Sequence, residues 1–378
     1  ETDDDVLSTA VSADGEYIAV GSKDNYLYLF EKGSNSPLWS SELDGDVVNI
    51  AISADGQYIV ASDGCSGGCD SIYLFDKDSS DYIWRKSLDS LVLSISISGD
   101  GEYIVAGVQP SANYEFHLFS KDSSTPLWSY EPSHNALSVD ISYDGSTIQF
   151  TTQAKTYIFD KSSNVPLWSA SNGCNCNAPS AFSDNGETIV IGNVFSELKV
   201  FSKDSSTPIW ETTLGDGSNV KSVEISADGK YIAASTNADK IYVFNRDSND
   251  TIWTYDTDGD IISLDFSSNG SYLVAGSDES YIYLFDKDNS TPLWSYEAGD
   301  EDVNIVSISS DGKYITAGSN DDNIYLFENS LVERPWLMAY GPSSGTNATS
   351  HLQLAWFAGS DDRDNLTFDV YLDTNSDP

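Results

Sequence analysis

Residues 282–319 read IYLFDKDNSTPLWSYEAGDEDVNIVSISSDGKYITAGS, four short apolar runs separated by clusters of Asp, Asn, Ser, Gly and Pro. Val, Ile, Tyr and Phe dominate the runs and none keeps a helical period, so each reads as a β-strand. Within one unit the order is strand a (VNIVSIS, 303–309), an Asp311-Gly312 turn, strand b (KYITAG, 313–318) and strand c (NIYLF, 323–327); PLWSYE (292–297) is strand d of the unit before. Asp-Gly between alternating apolar residues marks a tight reversal, because Gly accepts the positive φ such a turn demands.

The unit recurs. The turn dipeptide returns at Asp14-Gly15, Asp55-Gly56, Asp100-Gly101, Asp144-Gly145, Asn185-Gly186, Asp228-Gly229 and Asn269-Gly270, at spacings of 41 to 45 residues. A second register confirms the first: Phe30, Phe75, Phe119, Phe159, Phe201, Phe244, Phe285 and Phe327 are each followed nine residues later by tryptophan, at Trp39, Trp84, Trp128, Trp168, Trp210, Trp253, Trp294 and Trp336. Four strands repeating at this period predict an all-β, eight-bladed β-propeller of four-stranded antiparallel blades with almost no helix. A blade cannot bury both its faces alone, and a tryptophan in each unit suits the wedge between neighbours, its N–H bonded to backbone. An indole is also a platform for sugars; eightfold recurrence in one register assigns these residues to packing.

IYLFDKDNSTPLWSYE (282–297) resembles the blades of pyrroloquinoline-quinone-type propellers, in which a strand-d tryptophan docks between neighbours, and SGDGEYIVAG (98–107) is similar to WD-repeat propellers. The resemblance spans residues 1 to about 340 and implies the fold, not the function, because one fold hosts many sites. Two closures of the ring stand open: Arg334 to Tyr340, carrying Trp336 in register, completes blade eight, or a segment before Glu1 supplies its outer strand. The first keeps the nine-residue offset, although Pro335 is shifted. Domain one is therefore 1–340. From Gly341 the rhythm stops, and Trp356, the loop from Ser360 to Asp364 and the run Phe368 to Leu372 resemble the first part of a fibronectin type III or immunoglobulin-like module (341–378), as in microbial cell-surface proteins, archaeal ones among them. Such a sandwich needs roughly 100 residues, so more sequence is expected beyond Pro378.

Eighteen Lys and Arg against 60 Asp and Glu give a formal charge of −42, which repels nucleic acid and anionic membrane surfaces. No run approaches 18 apolar residues, so no direct membrane insertion is expected of this segment, and Glu1 to Asp5 carries no signal-peptide pattern. Sequons at Asn249, Asn269, Asn289, Asn347 and Asn365 are glycosylation candidates in an exported protein. Cys65 with Cys69 and Cys174 with Cys176 form two close pairs, read as local disulfides of an oxidising compartment; a metal site would require both loops to converge.

No Ser/His/Asp grouping, phosphate loop or zinc motif is present, the chain has three histidines (His117, His134, His351), and quinone enzymes of the resembling family carry groups that this chain lacks. The expectation is therefore no enzyme and no cofactor. One qualification is Ca²⁺: hard oxygen ligands at Asp361, Asp362 and Asp364 suit a weak extracellular site, the alternative being acidic turns facing solvent. The repeat departs from itself in four loops, Asp63 to Asp70, Val108 to Tyr114, Pro132 to Asn135 and Asn172 to Pro179. In an up-down blade the b–c and d–a loops share a face, so all four lie together, on neighbouring blades. Gln109, Asn113, Tyr114, His134, Asn172 and Asn175 are the candidate partner-binding residues. Asn249, Asn269 and Asn289 fall on the opposite face. The expected function is a non-catalytic, extracellular structural or interaction protein, a surface-layer, adhesin or filament subunit with protein or glycan partners and self-assembly. The alternatives are a quinoprotein-like enzyme domain and a periplasmic assembly scaffold.

Overall fold

The Ser-x-Asp-Gly turns hold each blade's first reversal through side-chain bonds that the motif dictates. Ser12 Oγ donates to Asp14 Oδ1 at 2.6 Å and accepts from Tyr17 N at 3.0 Å, while Asp14 Oδ1 accepts from Glu16 N at 3.0 Å. The same Ser-to-Asp or Ser-to-Asn pair recurs from Ser53–Asp55 to Ser309–Asp311. Short polar side chains that bond their own backbone favour turns in this way. Gly56 shows why the fourth position is glycine: its φ is +70°, and a Cβ there would lie 2.5 Å from Cδ2 of Tyr17 in the preceding blade.

A computed structural model describes residues 4–64, 70–88, 90–109, 114–173, 178–299, 301–321 and 323–330. It shows an eight-bladed propeller, with seven four-stranded antiparallel sheets and an eighth of three strands among the described residues. Every four-stranded sheet keeps the order a–b–c–d in sequence and the eighth runs a–b–c; blade seven, for example, runs Ile261–Phe266, Tyr272–Ser277, Tyr281–Asp286 and Trp294–Glu297. No helix occurs among the described residues. Residues 1–329 make one compact unit. The expected boundary at 340, Trp336 and the fibronectin-like stretch lie outside the described residues.

The strands of each blade are apolar on both faces where b and c meet, because both faces meet another blade. Ile59, Val60, Ile72, Leu74 and Phe75 of blade two are all fully enclosed, and burial of each such side chain contributes about 1.5–3 kcal/mol. Consequently the core is a set of wedges, such as the cluster joining Leu29 and Val47 to Ile59 and Phe75 across blades one and two.

Seven wedges, from that between blades one and two to that between blades seven and eight, are each sealed by an indole, and the structure identifies its partners. The tryptophan does not stack on the phenylalanine nine residues before it. It stacks on the phenylalanine of the following blade, Trp39 on Phe75 through to Trp294 on Phe327, with centroids 5.2–5.8 Å apart. From Trp39 to Trp253, six indole N–H groups donate to the carbonyl two residues beyond that phenylalanine, at 2.5–2.8 Å. A basic side chain at this carbonyl's residue also covers the preceding blade's tyrosine, as Lys77 lies 5.5 Å over Tyr17.

The ring is closed. Ser310 N of blade eight donates to Ala13 O of blade one at 3.1 Å, and Asn304 Nδ2 donates to Val6 O at 3.0 Å. Lys32 of blade one lies 4.9 Å over Tyr314 of blade eight, repeating the contact that joins blades one and two.

Candidate functional site

Strand a is the innermost strand of each blade, and neighbouring a strands touch around the axis. Their ends surround a cavity of about 630 Å³. Its mouth is built from the residue after the serine in each Ser-x-Asp-Gly turn, stitched blade to blade by backbone hydrogen bonds. Ala13 N donates to Ala54 O, Ala54 N to Gly99 O, Gly99 N to Tyr143 O and Tyr143 N to Asp184 O, at 2.7–3.0 Å. Asn185 N to Ala227 O, Ser268 N to Ser310 O and Ser310 N to Ala13 O, each at 3.1 Å, extend the stitching around the rest of the rim except between Ala227 and Ser268.

Below the rim sit carboxylates that sequence reasoning did not single out. Asp140, Glu224 and Asp265 share one register position, two residues before the turn serine of blades four, six and seven. Asp140 Oδ1 accepts from Ser96 Oγ at 2.9 Å and from Ile141 N at 2.8 Å; Asp265 Oδ2 accepts from Ile308 N at 2.8 Å; Glu224 Oε1 accepts from Ile225 N at 2.9 Å. These bonds favour the ionised form, but enclosure by eight converging strands outweighs them. Burial pushes Asp140 and Asp265 each up to about 7. Glu224 is raised well above the usual carboxylate range, by burial first and then by the charges of Asp265, Asp140 and Asp184. All three axial carboxyls therefore hold a proton to higher pH than a carboxyl in water does. No group of three or more His, Cys, Asp or Glu is placed to hold a metal ion among the described residues.

The described residues of the irregular loops belong to b–c and d–a connections, which open on one face of a blade that keeps the antiparallel order a–b–c–d. Gln109, at the end of strand b of blade three (Tyr103–Gln109), Tyr114 and His134 are each partly exposed there. Asn172 corrects the expectation for a contact residue. It is fully buried; its Nδ2 donates to Thr152 O at 2.6 Å and its Oδ1 accepts from Thr156 Oγ1 at 3.0 Å. Its amide anchors the root of a loop, enclosed away from the surface. Asn113, Asn175 and all four cysteines, Cys65, Cys69, Cys174 and Cys176, lie outside the described residues, as do Asp361, Asp362, Asp364, Asn347 and Asn365.

The same face carries one residue that sequence reasoning missed. Phe195 tips the b–c turn of blade five and is 61% exposed. Asn193 Oδ1 accepts from Phe195 N at 2.9 Å and Glu197 N at 3.1 Å, and Ser196 takes φ +61°. A turn so held presents the ring rigidly, next to the Asn172 loop, to which Asn193 Nδ2 is bonded through Asn172 O at 3.1 Å. Comparable turns carry Asp24, Ala238 and Glu279 at the tip, and that break in the repeat was the available signal.

The model of the family PQQ_2, described as outer membrane protein assembly factor BamB, matches residues 3–107 and 194–346, more than half of the chain. The chain belongs to this family. No curated protein matches it. Among solved structures, this BamB-family propeller is similar to the computationally designed Ika8 protein, at 11% identity and a TM-score of 0.71, over 86% of this chain and 96% of that one. At that identity the likeness is one of fold.

On the face opposite the irregular loops, Asn249, Asn269 and Asn289 are exposed, in c–d or a–b loops. His117, by contrast, is enclosed between blades: burial, aided by the Lys86 charge, lowers it to about 4, so it stays neutral, with Nδ1 2.8 Å from Ser129 Oγ. It packs the wedge as a polar core residue.

Proposed function

We propose that this BamB-family propeller is a non-catalytic interaction module of the cell surface, a subunit of a layer, filament or adhesin that engages protein or glycan partners through the face of its irregular loops. The observation that carries the reading is the placing on one face, over neighbouring blades three to five, of Gln109, Tyr114, His134 and Phe195. Loops on a rigid scaffold, with an aromatic anchor in a polar surround, are the usual make-up of a binding surface. The charge of −42 sets the partner's character: a surface bearing cations, or one bridged by divalent ions, approaches fastest.

The family's description as an assembly factor favours a second reading, in which the same face holds another protein during its assembly at an outer membrane. Cryo-tomography of native material, with wild type compared against Tyr114→Ala/Phe195→Ala, separates the two. An ordered lattice or fibre lost in the variant supports the surface role; dispersed protein with an unchanged partner complement overturns it. Purified native protein with the absorbance of a bound quinone would replace both readings with an enzymatic one.

A further inference from the structure

The residue two before the strand-c phenylalanine is a tyrosine in six of the eight blades. In four of them its hydroxyl donates to an aspartate of a b–c or d–a connection: Tyr28 to Asp24, Tyr73 to Asp63, Tyr242 to Asp216 and Tyr325 to Asp321, at 2.5–2.9 Å. Blade three has His117 there. Beside this shorter side chain an opening of about 300 Å³ lies between blades two and three, lined by Lys86, Leu88, Val108, Glu115, His117 and Pro126. His117 packs the wedge, but one of its nitrogens is left over. The residue is 6% exposed; Nδ1 lies 2.8 Å from Ser129 Oγ, and Nε2 has no hydrogen-bond partner among the described residues. Glu115 Oε2 is 3.1 Å from Nε2, out of line for a hydrogen bond. A buried polar atom left in this way is rare in a native fold and calls for a partner.

Lys86 enters the opening from blade two. Its position, two residues after the strand-d tryptophan, holds Ser41, Tyr130, Ala170, Thr212, Tyr255 and Tyr296 in the other described strands, so the charge is particular to this wedge. Among the described residues Lys86 forms no ion pair, with Glu115 or any other acid. An ammonium and a carboxylate that line one opening without joining leave room for a ligand bearing both charges, and Leu88, Val108 and Pro126 give it an apolar wall. We propose that this pocket binds a free α-amino acid with an aliphatic side chain, Lys86 donating to its carboxylate while its ammonium donates to Glu115 and to His117 Nε2. The ligand's ammonium has three donors, enough for both acceptors. A neutral imidazole whose proton sits on Nδ1, directed at Ser129 Oγ, accepts at Nε2; burial first, and then the Lys86 charge, keep the ring neutral. The inference goes beyond the partner reading and does not depend on it, since neither Tyr114 nor Phe195 lines the pocket.

Isothermal titration calorimetry of the full 378-residue chain with L-leucine tests the proposal. Leucine should bind saturably. Leucine methyl ester, which lacks the carboxylate, and N-acetyl-leucine, which lacks the ammonium, should each bind at least about tenfold more weakly, as loss of a charge-assisted hydrogen bond implies. Lys86→Met should weaken leucine by a similar factor and leave the methyl ester unchanged, whereas Glu115→Gln should weaken leucine and leave N-acetyl-leucine unchanged. His117→Tyr installs the residue that six other blades carry, so the variant should melt no lower than wild type and lose leucine binding. No saturable heat up to about 10 mM leucine, or equal affinity for leucine and both capped forms, would overturn the proposal. So would a folded His117→Tyr variant that binds leucine as wild type does.

Discussion

Replacing Asp140 by asparagine should make the protein more stable in alkaline solution and leave it nearly unchanged in acid. Asp140 and Asp265 are each pushed up to about 7 by burial, against about 3.9 for Asp in an unfolded chain. The folded state therefore binds these protons more tightly than the unfolded state. Their favourable contribution is complete below about pH 4 and is lost as pH rises through about 7. A gap of roughly three pH units corresponds to about 4 kcal/mol per carboxyl, an upper bound because water enters the channel and neighbouring acids titrate together. The substituted amide carries no charge at any pH and retains an oxygen to accept from Ser96 Oγ and Ile141 N. Urea unfolding followed by tryptophan fluorescence should place Asp140→Asn within about 1 kcal/mol of wild type near pH 4, and about 2–4 kcal/mol above it near pH 8.5. Surface acids titrate alike in both proteins, so the difference isolates the channel. An equal offset at both pH values, or a less stable variant in alkali, would refute the account of the axial carboxylates.

Trp128→Phe removes the donor to Lys161 O at 2.8 Å and part of the ring; urea midpoints should reveal a loss of about 1–3 kcal/mol, and an unchanged midpoint would deny the indole its sealing role. Gly56→Ala and Gly33→Ala both force alanine to positive φ, but only the former drives a Cβ against Tyr17, since nothing lies within 4 Å of Gly33; thermal melts should show Gly56→Ala as the more damaging by about 1–2 kcal/mol. Phe195→Ala removes an exposed ring and should alter stability by no more than about 0.5 kcal/mol. The same variant should weaken partner binding at least about tenfold in surface plasmon resonance; undiminished binding would remove Phe195 from the interface.

The strand pattern and the turns were legible in the sequence because both are set by neighbours along the chain. Ser, Asp and Gly in a run of four residues bond one another locally, and a glycine at Gly56 announces positive φ wherever the chain goes next. The eightfold Phe and Trp registers then required a closed array of blades, since a single sheet leaves both its faces bare. The site was less legible. Side-chain type pointed to Asn172 as a contact residue, but the polar atoms of an asparagine serve equally to tie a loop root, and burial alone distinguishes the two uses. Phe195 stood in a turn of ordinary length, so a search for irregular loops passed over it.

Local sequence determined the strands, their reversals and the number of blades, since each depends on residues within one repeat. Tertiary structure alone decided that each described indole seals against the following blade's phenylalanine, and that Asp140, Glu224 and Asp265, 41 to 125 residues apart, come close enough about the axis to feel one another's charge. The physical reason is the same in both cases. Closure of the ring brings equivalent positions of different repeats together about an axis, and the repeat's own spacing does not say which neighbour they meet or how much water is left between them.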